Sequence, residues 1–386
     1  MQYTKDQIII YLISLIGPIA FNFTIIALPL KAINVGLTRG TVSLVIFVSN
    51  MFQVIGRPIS GYVGDRVGSK KPLFLANALY VISYSLFYIA KNLFIFLLAS
   101  AIQGLAASFM WNSIFSHVVR AKWSEPSVAI SSVLSIAFFG GVVGLSLSGF
   151  LVEIIGVDKV FLASSILIII NLVSIITIKN VGGGEKPSLK TVFTITMRNV
   201  KETYLNVNSI AIFPLIRTYG TLLLLDAGLS EGFIGILFTI YRILSVIMQY
   251  PAAKMYNFLV EKRTLVNIAS LTLFITFTYL IARKEILLGV AMFVIASMLN
   301  NLLPSSQLTK ATTDNMKYSS LGAGGFGAGL SIVRLTNTGI ATIAGSITEQ
   351  HYPELNAPEI AIYTPLIILT TLSTIQYIKT RKRKQS

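Results

Sequence analysis

Three arginines stand where arginine is costly. Arg217, Arg242 and Arg334 lie near the middle of apolar runs of about 20 residues, the length that crosses a bilayer as a helix. A guanidinium at the centre of such a helix costs ~2.5–3.5 kcal/mol on insertion scales. It is tolerated there when it faces water, a partner or an anion. The planar fork of arginine matches a carboxylate or phosphate in bidentate fashion, so the chemistry offered is recognition of a small anion. The neighbours fall at three-to-four-residue spacing: Gly235, Thr239, Ser245 and Gln249 around Arg242, Ser331, Asn337 and Thr342 around Arg334, and Thr221 one turn after Arg217. These are polar stripes on apolar helices. In the first half of the chain, Asn22, Asn50, Gln53, Gln103 and Asn112 are polar residues at comparable depth. No Asp or Glu lies centrally in a run, and Asp226 and Glu231 fall at outer ends, so a cavity lined this way is net positive. The substrate-binding candidates are Arg217, Arg242, Arg334, Asn22, Asn50, Gln103, Asn112 and Asn337. The structural alternative is that an arginine pairs with helix-end carbonyls or with Asp226.

The elements that must hold these residues are membrane spans. The chain has 386 residues, 54% hydrophobic and only 12% charged, against about 25% charged in soluble domains. Twelve apolar runs are read at about 8–30, 41–63, 73–90, 93–116, 128–150, 160–178, 208–226, 231–250, 264–282, 286–308, 323–347 and 360–378. The seventh is the least regular, with Pro214, Arg217, Tyr219 and Asp226 inside it. The first run is too long for the core of a signal peptide and is read as a retained helix. Short connections leave no room for a separate soluble catalytic domain. Residues 1–180 and 208–386 form two six-helix halves, joined by a linker at 181–207. Gly182, Gly183 and Gly184 make that linker a flexible hinge by composition. Beyond them, Leu189, Val192, Phe193 and Val200 recur among Lys190, Arg198 and Lys201, the pattern of an amphipathic helix lying on a membrane surface; the alternative is an unstructured basic linker.

The net charge of +16 is distributed by side. Twenty-one Lys and Arg fall on the N-terminal side and the even-numbered connections, and six on the others. That asymmetry places both termini in the cytoplasm of a multi-pass protein of the cytoplasmic membrane. The basic tail from Lys379 to Lys384 reads as contact with anionic lipid rather than nucleic acid. There is no cysteine, which excludes disulfides and thiolate metal sites. His117 and His351 read as single loop histidines and Trp123 as an interface anchor, and no cluster suggests a metal, a cofactor or a catalytic nucleophile.

Between the second and third runs, Gly61-Tyr62-Val63-Gly64-Asp65-Arg66-Val67-Gly68-Ser69-Lys70-Lys71 carries the pattern G-x-x-x-D-R-x-G-x-K-K. It resembles the loop between helices 2 and 3 of the major facilitator superfamily of secondary transporters. The resemblance implies an all-α polytopic membrane protein, with twelve transmembrane helices in two pseudo-symmetric six-helix bundles and a cargo site between them. It also implies a conformational latch made of Gly61, Gly64, Asp65, Arg66, Gly68, Lys70 and Lys71. Gly61 and Gly64 permit close helix approach, and Gly68 permits the turn. Asp65 faces the amide-rich start of helix 11, expected at Gly322–Gly325, with Arg120 as its partner. Arg66, Lys70 and Lys71 can meet lipid phosphate.

Two further motifs are partial. Many proton-coupled members carry R-x-x-Q-G in span 4, and here Ser100 replaces the arginine before Gln103-Gly104. Drug antiporters carry G-x-x-x-G-P-x-x-G-G in span 5, and here Gly140, Gly144 and Gly149 remain without the proline. The expected activity is therefore alternating-access transport of a small organic solute, anionic by the charge of the site. Membrane lipid and a coupling ion or counter-solute are the other partners, and the chain acts as a monomer. Efflux of hydrophobic or drug-like compounds is the alternative within transport, and a non-transporting sensor or scaffold on the same fold is the alternative outside it.

Overall fold

In a bilayer core, backbone amides must be satisfied within the segment, which favours helices. The computed structural model describes residues 4–37, 39–216, 220–314, 316–352 and 357–385, and among them the regular structure is helical throughout. The first six spans are α1 (Lys5–Asn34), α2 (Arg39–Val67), α3 (Lys70–Ile89), α4 (Leu93–Ala121), α5 (Pro126–Ile155) and α6 (Val157–Ile176). α7 (Leu189–Asn206) follows in the linker. In the seventh span the described elements are a 3-10 turn at Asn208–Ala211, α8 (Phe213–Leu215) and α9 (Thr221–Asp226). α10 (Glu231–Ile247) and α11 (Gln249–Lys254) make the eighth. α12 (Tyr256–Ala282), α13 (Ile286–Thr313), α14 (Ser319–His351) and α15 (Ala357–Gln385) complete the series. Among the described residues, nine helices are long and apolar enough to cross a membrane by length and composition.

Helix boundaries follow local chemistry. Thr4 Oγ1 accepts the Gln7 N–H at 3.3 Å, Asn92 Oδ1 that of Ile95 at 3.1 Å, and Ser230 Oγ that of Phe233 at 3.3 Å, capping α1, α4 and α10. Pro126 opens α5, where its missing N–H removes no bond. Pro18 and Pro29 lie inside α1, Pro58 inside α2 and Pro304 inside α13, as membrane helices tolerate.

The chain forms two compact units, Met1–Asn199 with Leu308–Ala328, and Val200–Gln307 with Gly329–Ser386. In the first, α1 packs on α5 and α6, α4 packs on α2 and α3, and α3 packs on α6. Small residues make these approaches close: a β-carbon on Gly144 would lie 2.9 Å from the Ile19 Cα. In the second, α12 packs on α15, around a core in which Phe274, Phe277 and Phe293 are fully buried.

Candidate functional site

Within the first unit, the α2–α3 turn grips the start of α14. The Asp65 side chain is fully buried. Its Oδ1 accepts the Ser320 N–H at 3.1 Å and its Oδ2 the Leu321 N–H at 3.1 Å. These are first-turn amides with no partner inside the helix, and they carry the positive end of its dipole. Arg120, at the end of α4, pairs with Asp65 Oδ1 and donates from Nη2 to the Lys317 carbonyl at 3.0 Å. Helix α14 begins at Ser319, upstream of the expected Gly322–Gly325, so the capped amides belong to Ser320 and Leu321. The glycines lie in the next turn, where close packing explains them: a β-carbon on Gly325 would lie 2.8 Å from Asn199 Cβ.

Gly61 and Gly64 make room for this contact. A β-carbon on Gly61 would lie 2.8 Å from the Ser320 carbonyl oxygen, and one on Gly64 would lie 2.7 Å from Ser320 Oγ. Gly68 has φ +85°, in the left-handed region that favours glycine. Lys70 Nζ donates to the Ile176 carbonyl at the end of α6, at 2.7 Å, and Arg66 Nη1 to the Tyr62 hydroxyl at 3.4 Å. Lys71 is exposed. Sequence reading placed His117 in a loop, but it is buried in the last turns of α4, with Nδ1 2.8 Å from Ser69 Oγ. Its ring packs beside Trp123, which in turn meets Tyr11 edge-on.

The linker reaches this turn as well. Asn180 Oδ1 accepts the Lys70 N–H at 3.0 Å and its Nδ2 donates to the Val67 carbonyl at 2.9 Å. Ser69 N–H donates to the Val181 carbonyl, Gly184 N–H to that of Arg66, and Glu185 N–H to that of Asp65. Glu185 pairs with Lys317 at 3.2 Å. Gly182, Gly183 and Gly184 all have positive φ. Their composition suggests a loose hinge, but their backbone requirement is a specific left-handed path against Gly68.

Within the second unit, Arg242 and Arg334 stand near an aromatic pair. Tyr241 stacks on Phe213 with ring centres 3.7 Å apart at 10°. The Arg242 guanidinium lies 5.0 Å from the Phe213 ring centre. The Tyr241 hydroxyl accepts from Asn300 Nδ2 at 3.1 Å and lies within electrostatic range of both arginines. Arg334 keeps part of its surface accessible, its Nε has no partner, and no carboxylate among the described residues pairs with it. Asn337, three residues on, is 1% exposed, with both side-chain polar atoms unpartnered. Ser245 and Gln249 instead bond to backbone carbonyls, at Tyr241, Ser245 and Asn301. Arg217 lies outside the described residues.

The first-unit candidates meet different partners. Asn22 donates to the Pro18 carbonyl at 2.7 Å and fills the contact with Gly141 and Gly144. Asn112 donates to the Arg57 carbonyl at 2.9 Å and pairs with Ser60, tying α4 to α2. Gln103 is buried beside Tyr84, and Asn50 is half-buried on α2. Sequence reasoning missed Tyr241, Phe213 and Asn300 in the second unit. Their signals were the Tyr241-Arg242 neighbourhood and the Asn300-Asn301 pair in an apolar run. Arg57 lies beside Tyr80 and fills the space left by Gly327.

The described residues thus define a polytopic helical protein, and the comparisons agree with that fold. The chain belongs to the Major Facilitator Superfamily, whose family model matches residues 10–335; it is a multi-pass membrane transporter of twelve spans. Over 122 residues it is 30% identical to a probable vesicular acetylcholine transporter-A of Danio rerio, covering 31% of this chain and 24% of that protein. Over 132 residues it is 25% identical to the vesicular acetylcholine transporter unc-17 of Caenorhabditis elegans, covering 34% and 25%. The chain spans about a quarter of the length of these curated relatives. Among solved structures it is similar to the human organic anion transporter MFSD10 (TETRAN), at 14% identity and TM-score 0.67, covering 96% of this chain and 99% of that one. It is also similar to the E. coli fucose:proton symporter FucP, at 11% identity and TM-score 0.71, covering 96% and 98%. At these identities the likeness to the solved structures is one of fold.

Proposed function

We propose that this chain moves a small organic anion across the cytoplasmic membrane by alternating access. The observation that carries this reading is Arg334, a guanidinium in mid-helix with an unpartnered Nε and no paired carboxylate among the described residues. Isolated buried charge is unfavourable, so a permanently charged group in that position is best balanced by an anion that comes and goes. Asn337, unpartnered on both side-chain atoms, adds a donor and an acceptor one turn away. Arg242 adds a second positive charge near Tyr241. Arg217, Asn22, Asn50, Gln103 and Asn112 remain secondary candidates for the same cargo. In this reading Gly61, Gly64, Asp65, Arg66, Gly68, Lys70, Lys71 and Arg120 form a latch that stabilises one of the two access states. The protein acts as a monomer without a cofactor, exchanging its cargo or coupling it to an ion or counter-solute. Both termini face the cytoplasm, as the Lys and Arg asymmetry supports.

A thermal-stability screen of purified protein against organic acids, phosphate esters, sugars and organic cations tests the reading. Organic acids or phosphate esters should raise the melting temperature, and Arg242→Ala with Arg334→Ala should remove that rise. Normal anion transport by the double variant is the result that sinks the site. A second reading, export of organic cations or hydrophobic compounds, is favoured by the names of the curated relatives, which are vesicular acetylcholine transporters. It predicts stabilisation by cations that survives the double substitution. Crosslinking the two halves through an engineered cysteine pair separates transport from a sensor role, because only transport requires them to move.

A further inference from the structure

Helix α7 presents two distinct faces. Ile195, Thr196 and Asn199 are buried, and on that face α7 meets α14: a β-carbon on Gly325 would lie 3.1 Å from Thr196 Cα. A second face carries Leu189, Phe193 and Met197 at four-residue spacing, exposed by 86%, 67% and 47%. Lys190 and Lys201 are exposed along the same side, about 20° and 40° around the helix from Met197 at 100° per residue. From Leu189 to Lys201 the sequence contains no acidic residue. Arg198 continues the basic edge and pairs with Asp314 at 3.2 Å.

The occupant follows from position and charge. α7 is bounded by α6, whose Val173 and Ile176 are exposed apolar residues at its end, and by the seventh span beginning at Asn208. A helix tethered at both ends to membrane spans lies within reach of the bilayer surface. An apolar edge flanked by lysines matches the boundary between acyl chains and anionic headgroups. The buried face sits against α14 five residues beyond Ser320, whose amide Asp65 holds. We propose that α7 binds anionic phospholipid and, through its contact at Gly325, holds the start of α14 in the grip of Asp65. Lipid charge then sets how long the latch stays closed.

The absence of cysteine makes the test clean. The full chain carrying Phe193→Cys, Met197→Cys or, as a control, Lys186→Cys is labelled with an environment-sensitive fluorophore. It is reconstituted in phosphatidylcholine alone or in equal parts phosphatidylcholine and phosphatidylglycerol. Acyl-brominated lipid should quench labels at 193 and 197 several-fold more than at 186. Phosphatidylglycerol should also raise the hydrogen-exchange protection of Ser320 and Leu321, and Lys190→Gln with Lys201→Gln should lower that gain by up to about fivefold per lysine. Labels at 193 and 197 no more quenched than the control mean that water or a protein covers this face, and overturn the proposal. Protection that is indifferent to lipid charge overturns the link to the latch. No cargo is used, so the outcome is independent of the anion reading.

Discussion

The Asp65 carboxylate and the Leu321 amide, 256 residues apart in sequence, meet at 3.1 Å. The bond is long-range in the chain, but its chemistry is local and simple. A carboxylate at the start of a helix accepts amides that have no other acceptor, and its charge opposes the positive end of the helix dipole. Arg120 neutralises what remains, with its own side chain 10% exposed.

Asp65→Asn keeps the shape of this site and removes its charge. The amide can still accept through one oxygen, but its nitrogen faces a backbone N–H, and Arg120 is left in a buried position without a counter-ion. Removing one partner of a buried pair costs about 3–5 kcal/mol. Hydrogen-exchange protection of Ser320 and Leu321 should therefore fall roughly a hundredfold or more. A change below tenfold means that the contact does not hold α14.

The two glycines facing Ser320 should differ in tolerance. A β-carbon on Gly61 meets the Ser320 backbone oxygen at 2.8 Å, whereas one on Gly64 meets only the Ser320 hydroxyl and its Cβ. A hydroxyl can rotate away and a backbone carbonyl cannot. Gly61→Ala should lower stability by about 1–3 kcal/mol and Gly64→Ala by less. Thermal melts of the two single variants decide it, and equal losses refute the argument.

Much of this cluster could be read in the sequence, because it rests on residue types with few alternatives. Asp65 and Gly68 belong to a short charged turn between long apolar runs, and Arg120 is a basic residue at the next helix end on the same side. The linker's part was hidden. Nothing local to Asn180 or Gly183 signals that their partners lie more than a hundred residues earlier, and a glycine run has the same composition whether loose or held. His117 was misplaced for a related reason: a lone polar residue near an apolar boundary gives no sign of a buried hydroxyl such as Ser69 waiting for it. In the second unit, the mid-helix arginines were legible through their insertion penalty, but the Phe213–Tyr241 stack was not, since aromatic residues are common throughout the chain.

The glycine run gives a direct test of held against loose. Gly183 has φ +100°, and a β-carbon there would meet the Gly68 nitrogen at 2.7 Å. Gly184 has φ +85° with nothing within 4 Å. Gly184→Ala should cost only the left-handed penalty of about 1–2 kcal/mol. Gly183→Ala adds a backbone collision and should cost distinctly more. A free hinge predicts that both are neutral by thermal melt.

Asn267 holds the start of the seventh span. Its Oδ1 accepts the Ser209 N–H at 2.9 Å, and its Nδ2 donates to Asn208 Oδ1 at 3.1 Å and to Ser373 Oγ at 3.0 Å. Asn267→Ala strands a buried backbone N–H and leaves a cavity, a loss of about 1–3 kcal/mol for the unsatisfied group before the cavity is counted. The melting temperature should drop by several degrees, and protection at Ser209 should fall with it. An unchanged Ser209 amide contradicts the assignment.

Asn337 separates a binding role from a structural one, because the two predict opposite signs. Its side-chain nitrogen and oxygen are buried and unpartnered, an arrangement that lowers stability. Replacing it with an apolar residue of similar size removes that burden, so Asn337→Leu should leave the melting temperature unchanged or raise it. If Asn337 bonds cargo beside Arg334, the same variant should lose at least half of the ligand-induced rise in melting temperature, and its transport should weaken through a higher KM. A variant that is destabilised, or that keeps the full ligand response, places Asn337 among the packing residues and removes it from the cargo site. Testing it beside Arg334→Ala adds a check on the pair. Residues that share one ligand should show non-additive losses, since the first substitution already removes most of what the second could disturb.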